Sequence, residues 1–596
     1  MRLRFEEEYI EAFFTGLTLL FFLISLKYEI AWIGAYVFGS IFTLKSTVES
    51  LREKRVDVDL LMLLGAYGAA YIGKFHEGAF LLFLFNLGST FERFAFKISR
   101  DSLKGLLSLR PEKALVLKND QWEEVPVEEI RAGDTILVKA GERVPVDAEI
   151  VEGRASIDLS LITGEYMPEF NKEGDRVVSG ALVIDGSLKL RALGGIKESS
   201  LEKIIQLVTQ AQGLKSKTQT LAEWIGQKYT LAVLLTLPLV YGLFYLILKD
   251  HSQAFYRLLI HLVVASPCAF VISTPLTVMS AIASAARKGI LFKGGAVVEE
   301  LHEVKWVALD KTGTITKGKP RLKEVRVLCG CHTEDEILTI AASLERNITH
   351  PVAEAITSSA REKNLKSLDF KDVSYKLGYG VSGRLNGNIW EVVSARERTE
   401  SGIVLSVKRD GMDEAILILE DELKEGAKES IQRLKEMGYR VVMISGDRRR
   451  NVESIAKAVG IDEFVAEASP EDKLRKIEEL SKNGGCCMVG DGINDGPALA
   501  AATFGIAMGT LASDVALDTS DVNILSDNIN LLPKAFEISK KSYGIILQNI
   551  VISLGSVVLM ILLNLFGVIN ILFGVIGHEG TTVLVALNGL RALFLK

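Results

Sequence analysis

The sequence predicts a multidomain α-helical membrane protein with eight transmembrane helices and two soluble inserts, one rich in β-structure and one α/β. Three observations carry this reading. Hydrophobic residues make up 48% of the chain and mean hydropathy is +0.25, yet 24% of residues are charged, a mixture expected when apolar and soluble blocks are joined end to end. The apolar residues gather in runs near 10–26, 29–46, 58–73, 77–96, 224–248, 254–280, 545–566 and 570–593. A hydrocarbon core needs about 20 residues of helix, which several runs supply while the first and third are shorter. The third observation is the polar remainder, which falls into two long stretches, 97–222 and 290–540. A chain of 596 residues is in any case more than one core organises.

The first run has no small-residue cleavage site after it and is followed by further runs, so it reads as a retained helix. Gly39 marks a possible break in the second run, which leads into the basic cluster Lys45, Arg52, Lys54 and Arg55. Retention of positive charge on the cytoplasmic side places both termini and both inserts inside the cell and makes the chain a multi-pass protein of the cell membrane. The balance of 69 basic to 75 acidic residues, a net charge of -6, offers no basic excess for nucleic acid. Five cysteines without a CxxC pair fit neither a disulfide scaffold nor a zinc finger.

In the first insert, KALVLK, DTILVKA and DRVVSGALVIDG alternate apolar and polar residues between turn signals, the pattern of a β domain. In the second, KWVALD, IQRLKEMGYRVVMISGD and LRKIEELSKNGGCCMVGDG alternate strand and helix patterns, which predicts a parallel α/β sheet. About a hundred residues between Asp310 and a helix near Glu425 form a separate α+β insertion.

Three apolar strands end in aspartate, at Asp310, Asp447 and Asp491. The carboxyl ends of parallel strands form one crevice, so these acids converge there. Their repulsion calls for a divalent cation and a lysine. In DKTGT, Asp310 is the candidate nucleophile: a carboxylate attacking phosphorus makes an acyl phosphate and divides phosphoryl transfer into two steps. Thr312 would orient the phosphoryl group and Lys311 balance charge. Asp491, Asn494 and Asp495 in GDGINDGPAL would contact Mg²⁺ and phosphate, and Lys473 in SPEDK would neutralise the transferring group. Ser445 and Gly446 would add small donors beside Asp447.

DKTGTITKG, SGD, PEDK and GDGINDGPALA together resemble the phosphorylation domain of P-type ATPases, whose fold is that of haloacid-dehalogenase-like phosphotransferases. Ser445 stands where the family usually has threonine. In the first insert, TGE at Thr163–Glu165 permits a tight turn that projects an acid able to position water. In this domain order it resembles the family's actuator loop, although Leu159 follows Asp158 where an acid is common. LERNITHPVAEAI and GYGVSG resemble the nucleotide-binding domain of the heavy-metal class, which implies that Glu345, His350, Gly378 and Gly380 contact ATP. The implied division is membrane helices at 1–96, actuator at 97–222, helices at 223–289, phosphorylation domain at 290–322 and 426–540 around a nucleotide-binding domain at 323–425, and final helices at 541–596.

The sixth run contains HLVVASPCAFVISTP. Pro267 removes a helical hydrogen bond, while Ser266 and Cys268 flank the break with oxygen and sulfur. The last run contains His578 and Glu579, costly at membrane depth without a partner or a function, with Thr582 one turn on. One sulfur, one imidazole and carboxylate oxygens suit Zn²⁺, Co²⁺ or Fe²⁺ better than K⁺, Na⁺ or Mg²⁺. SPC with HEGTT resembles the heavy-metal ATPase subgroup associated with export of cobalt, zinc, cadmium or ferrous iron. The family's N-terminal CxxC metal domain is missing from the sequence. The implied cofactors are ATP and Mg²⁺; the partners are the lipid bilayer, ATP and the transported divalent ion, with no nucleic acid and a functional monomer. A pump for another cation and a membrane-anchored phosphatase are the alternatives. Cys329, Cys331 and His332 form too small a set to assign a metal site, and Cys486 and Cys487 continue a core strand.

Overall fold

The computed structural model describes residues 2–595 except 54, 102–109, 161–167, 329, 349, 377–379, 396–401, 492–494 and 510–513. The chain divides into two compact units, residues 1–302 with 535–596, and residues 303–534.

The first unit holds the apolar helices, labelled α1 (Arg2–Ser25), α2 (Trp32–Arg52), α3 (Val58–Tyr71), α4 (Phe75–Asp101), α5 (Lys217–Leu248), α6 (His251–Val264), α7 (Cys268–Ala286), α8 (Leu531–Leu565) and α9 (Ile571–Leu590). Among the described residues, five segments are long and apolar enough to cross a membrane: α4, α5, the stretch His251–Ala286 through α6 and α7, α8, and α9 with its short extension. Their outer faces are apolar. On α5, Leu235, Leu239 and Leu246 are each more than 70% exposed, a row that only lipid or a partner would cover. Inward, Leu61, Met62, Leu81, Leu82, Ile260 and Val575 form a continuous core.

Many polar groups inside this helical region are paired, as burial away from water demands. Tyr36 donates to the Ala66 carbonyl at 2.9 Å, and Arg257 donates to the carbonyls of Ile569 at 2.6 Å and Gly567 at 2.9 Å. The break expected at Pro267 is present: α6 stops at Val264, α7 begins at Cys268, and Pro267 occupies the N-cap position. The break expected at Gly39 is absent. α2 runs through it, and Gly39 instead admits its neighbours, since a Cβ there would stand 3.0 Å from Leu82 Cβ and 3.1 Å from Thr18 Cγ2. The Gly39 carbonyl accepts a 2.8 Å hydrogen bond from Asn86 of α4. This glycine serves close helix packing.

The first insert is the expected β domain. Its central strands Thr135–Lys139, Ser187–Ala192 and Ala148–Asp158 pair antiparallel around Ile136, Val138, Leu188, Leu190 and Ile150. In the second unit, Trp306–Asp310 pairs in parallel with Arg440–Ile444 on one side and Cys486–Gly490 on the other. All three strands are almost wholly buried, which is why they read as unbroken apolar runs. Cys486 and Cys487 are core residues, as expected. Among its described residues, the insertion is a six-stranded antiparallel sheet with helices Glu334–Glu345 and Pro351–Glu362 packed on it. Its outer strand begins at Thr316, close behind Asp310, and pairs with Met412–Leu423 on the return.

Candidate functional site

Asp310 ends the strand Trp306–Asp310, and the following DKTGT turn folds back on it: the Thr312 amide donates to Asp310 Oδ2 at 3.0 Å. Gly313 permits this turn, with φ at +74°. A Cβ on Gly313 would stand 3.6 Å from Asp491 Oδ2, so the third strand brings its aspartate against the same turn. Lys473, in the first turns of the helix Pro470–Lys482, contacts Asp310 Oδ1 and lies 2.7 Å from Asp495 Oδ1. Burial, Asp495 and Asp491 push the Asp310 carboxyl up to about 6, against the opposing pull of Lys473. For Lys473, burial acts downward but is outweighed by Asp310 and Asp495, and the ammonium is held above its usual value. Three acids around one lysine leave net negative charge, a donor set that fits Mg²⁺.

Asp447 stands at the same edge as Asp310, just past the strand Arg440–Ile444, whose Ile444 lies opposite Asp310. Its carboxylate pairs with Lys311, while its amide donates to Ser445 Oγ at 3.2 Å. Lys311 therefore balances charge, and its second acid is Asp421 at 4.0 Å. Sequence reasoning missed Asp421, Lys424 and Asp527. Lys424 is 5% exposed, contacts the Gly313 carbonyl and lies 2.9 Å from Asp527, so it ties the DKTGT turn to the return strand of the insertion. The signal for it was a lysine directly after the apolar run of Met412–Leu423. Asn494 lies outside the described residues.

In the insertion, His350 N-caps the helix Pro351–Glu362, with Nδ1 accepting from the Val352 amide at 3.2 Å. Gly380 has φ +145°, and a Cβ there would overlap the Val392 carbonyl, so close pairing with Asn388–Ser394 requires glycine. Gly378 lies outside the described residues. Glu345 ends its helix 8% exposed, and burial pushes its carboxyl up to about 7. The folded state thus holds this proton more tightly than the unfolded chain does. The associated stability is complete below about pH 4.5 and is lost as pH rises through about 7, a change of about 3 kcal/mol. Glu345→Gln is expected to flatten this dependence and raise stability at pH 8, read as hydrogen-exchange protection of amides 337–344 corrected for intrinsic rates. Unchanged protection would contradict the burial argument.

Thr163–Glu165 lies outside the described residues; the strands flanking it pair, with Ile157 opposite Glu169. His332 packs edge-on to Trp390 and stands 3.6 Å from Glu414, while Cys331 is exposed and Cys329 lies outside the described residues.

The membrane residues divide around Pro267. Cys268, Glu579 and Thr582 line a cavity of about 610 Å³ together with Asp57, Asp59, Glu92 and Arg93. Ser266 and His578 instead line a much smaller cavity with Ser553, Ser556 and Thr581. Ser266 Oγ and Cys268 Sγ are 3.1 Å apart across the break. His578 Nε2 and Glu579 Oε1 stand 3.7 Å apart, beyond hydrogen-bond reach, and each is buried with no hydrogen-bond partner. Thr582 Oγ1 is turned back to the His578 carbonyl at 3.3 Å. Among the described residues, no three His, Cys, Asp or Glu side chains stand together at metal-binding spacing. Sequence reasoning also missed Arg93, which enters the larger cavity from α4 and is held at 2.5 Å by buried Glu11 of α1.

Two family models match the domains so described: residues 304–503 match haloacid dehalogenase-like hydrolases and residues 108–209 match the P-type ATPase actuator domain. The chain is 37% identical over 584 residues to the zinc-transporting ATPase of Bacillus subtilis (strain 168), covering 95% of this chain and 91% of that one. It is 36% identical over 479 residues to the zinc/cadmium/lead-transporting P-type ATPase of Escherichia coli (strain K12), covering 78% and 65%. A crystal structure of a zinc-transporting PIB-type ATPase in the E2.Pi state aligns over 98% of this chain and 99% of its own, with TM-score 0.64 and 32% identity. A haloacid-dehalogenase-like domain, an actuator domain and a helical membrane region in one chain define a P-type ATPase. The chain belongs to the heavy-metal-transporting members of that family, the P1B type that includes zinc and cadmium transporters.

Proposed function

We propose that this ATPase exports a divalent transition metal ion, Zn²⁺, Co²⁺, Cd²⁺ or Fe²⁺, from the cytoplasm through an aspartyl phosphate on Asp310. The observation that carries the reading is a buried, partnerless carboxylate oxygen on Glu579 that shares a cavity with Cys268 and Thr582. In low dielectric such a group is expensive unless a cation joins it. Cys268 adds a soft donor, and Ser266 and His578 lie just across the helix break, where a small rearrangement would recruit them.

In the phosphorylation step, an Asp310 oxygen bonds to the γ-phosphorus of ATP as the bond to the bridging oxygen of ADP breaks. Lys473 would move its charge from the Asp310 carboxylate to the phosphoryl oxygens, and Thr312 would orient them. Mg²⁺, held by Asp310, Thr312 and Asp491, would offset the charge of the phosphates. Asp447, through its pair with Lys311, and Asp495, through Lys473, position these groups; Asn494 would join them. Glu345, His350, Gly378 and Gly380 would hold the nucleotide. Glu165 would direct water at the acyl phosphate, so Glu165→Gln should make phosphoenzyme accumulate with dephosphorylation slowed about 100-fold. Dephosphorylation at the unmodified rate in a chase experiment would remove it from that role.

The domain division expected from sequence accommodates these roles. Counting α6 and α7 as one broken span, the helices amount to eight crossings with both termini and both inserts cytoplasmic, in a monomer. ATP-dependent accumulation of Zn²⁺ in inside-out vesicles tests the proposal. ATP hydrolysis without metal uptake would favour the anchored phosphatase, and uptake confined to another cation would favour a different pump.

A further inference from the structure

Glycine in the middle of a helix costs about 1 kcal/mol relative to alanine, so its presence there calls for a reason in packing. Gly88 lies in the interior of α4, and the reason is visible across the helix interface. A Cβ on Gly88 would overlap Glu579 Oε2 of α9 and stand 3.1 Å from the Glu579 carboxyl carbon. The nearest atoms of another helix all belong to the glutamate side chain, the third of them, Glu579 Cγ, at 3.9 Å. Gly88, Glu579, Cys268 and Thr582 line the same cavity, as do Phe85 and Glu92 on the same face of α4. The other oxygen, Glu579 Oε1, is buried without a hydrogen-bond partner.

We propose that Gly88 is a positioning residue for the transported cation: its missing side chain leaves a notch in α4 that receives one Glu579 oxygen and thereby presents the carboxylate to the ion beside Cys268. This inference rests on the reading of Glu579 as a ligand. α4 supplies no ligand of its own at this position. It sets the direction of one supplied by α9. A methyl group in the notch displaces the carboxylate while leaving the helix free to form, because alanine is the better helix former.

The test is equilibrium binding of Zn²⁺ to the purified full-length protein carrying Gly88→Ala, Glu579→Asp, both substitutions, or Glu579→Ala. Gly88→Ala is expected to weaken binding about 10- to 100-fold, the usual effect of losing a group that orients a metal ligand. Aspartate is one methylene shorter and does not reach the notch, so adding Gly88→Ala to Glu579→Asp is expected to cost little more. That non-additivity is what a mere packing role would not give. Gly88→Ala at unmodified affinity, or losses that multiply in full in the double variant, would overturn the proposal. Undiminished affinity in Glu579→Ala would instead overturn the assignment of Glu579 on which it rests.

Discussion

Asp310→Asn is expected to abolish acid-stable phosphoenzyme from ATP and metal transport with it, a loss on the order of a thousandfold or more. The amide matches the carboxylate in size, and its oxygen can still accept the 3.0 Å hydrogen bond from the Thr312 amide that closes the DKTGT turn. Lys473 keeps its 2.7 Å contact with Asp495, so the variant retains the local fold. The negative charge that attacks phosphorus is what disappears. Nucleotide affinity should survive, because the insertion's sheet and helices form a separate core. Covalent labelling from ATP at the unmodified level would remove Asp310 from the nucleophile's role.

The second large effect concerns the membrane. Cys268→Ala, His578→Ala and Glu579→Ala are each expected to impair metal-stimulated phosphorylation by ATP, with Glu579→Ala the most severe at about 100-fold or more in the metal concentration required. Burying a divalent ion in low dielectric demands negative charge, and Glu579 supplies it. Phosphorylation by inorganic phosphate without metal should largely persist, since it bypasses cytoplasmic loading of the ion. The distinction follows from linkage: an ion drives the pump only by favouring one conformation over another. Loss of both reactions would signal a folding defect. Metal-stimulated phosphorylation at full strength in all three variants would refute the site.

The reach of sequence reading follows the range of the interactions involved. Asp310, Asp447 and Asp491 were legible because parallel strands end at one edge, and that rule needs only the strand pattern, whereas Lys473 and Asp495 were legible from the PEDK and GDGINDGPAL motifs. The break at Pro267 was legible because proline acts on its own helix. The division around it was not. Ser266 and His578 face one cavity while Cys268 and Glu579 face another, and this depends on how α7, α8 and α9 pack. Gly39 misled for the same reason: a glycine in a helix reads locally as a break, whereas here it admits Leu82 and Thr18. The Gly88 notch, the Glu11 and Arg93 pair, and Lys424 on the Gly313 carbonyl all join residues far apart in sequence, and periodicity carries no trace of such partners.

The central claim is that a divalent transition metal in the membrane region switches on phosphorylation of Asp310. Its most direct test measures incorporation of the labelled γ-phosphate of ATP into the full-length protein, and into Asp310→Asn, at matched free concentrations of Zn²⁺, Cd²⁺, Co²⁺, Fe²⁺, Ni²⁺ and Cu⁺. The expected result is label that depends on Asp310, rises with one or more of Zn²⁺, Cd²⁺, Co²⁺ and Fe²⁺, and stays at background with Cu⁺. Labelling independent of all six metals, or stimulated by Cu⁺ alone, would contradict the account.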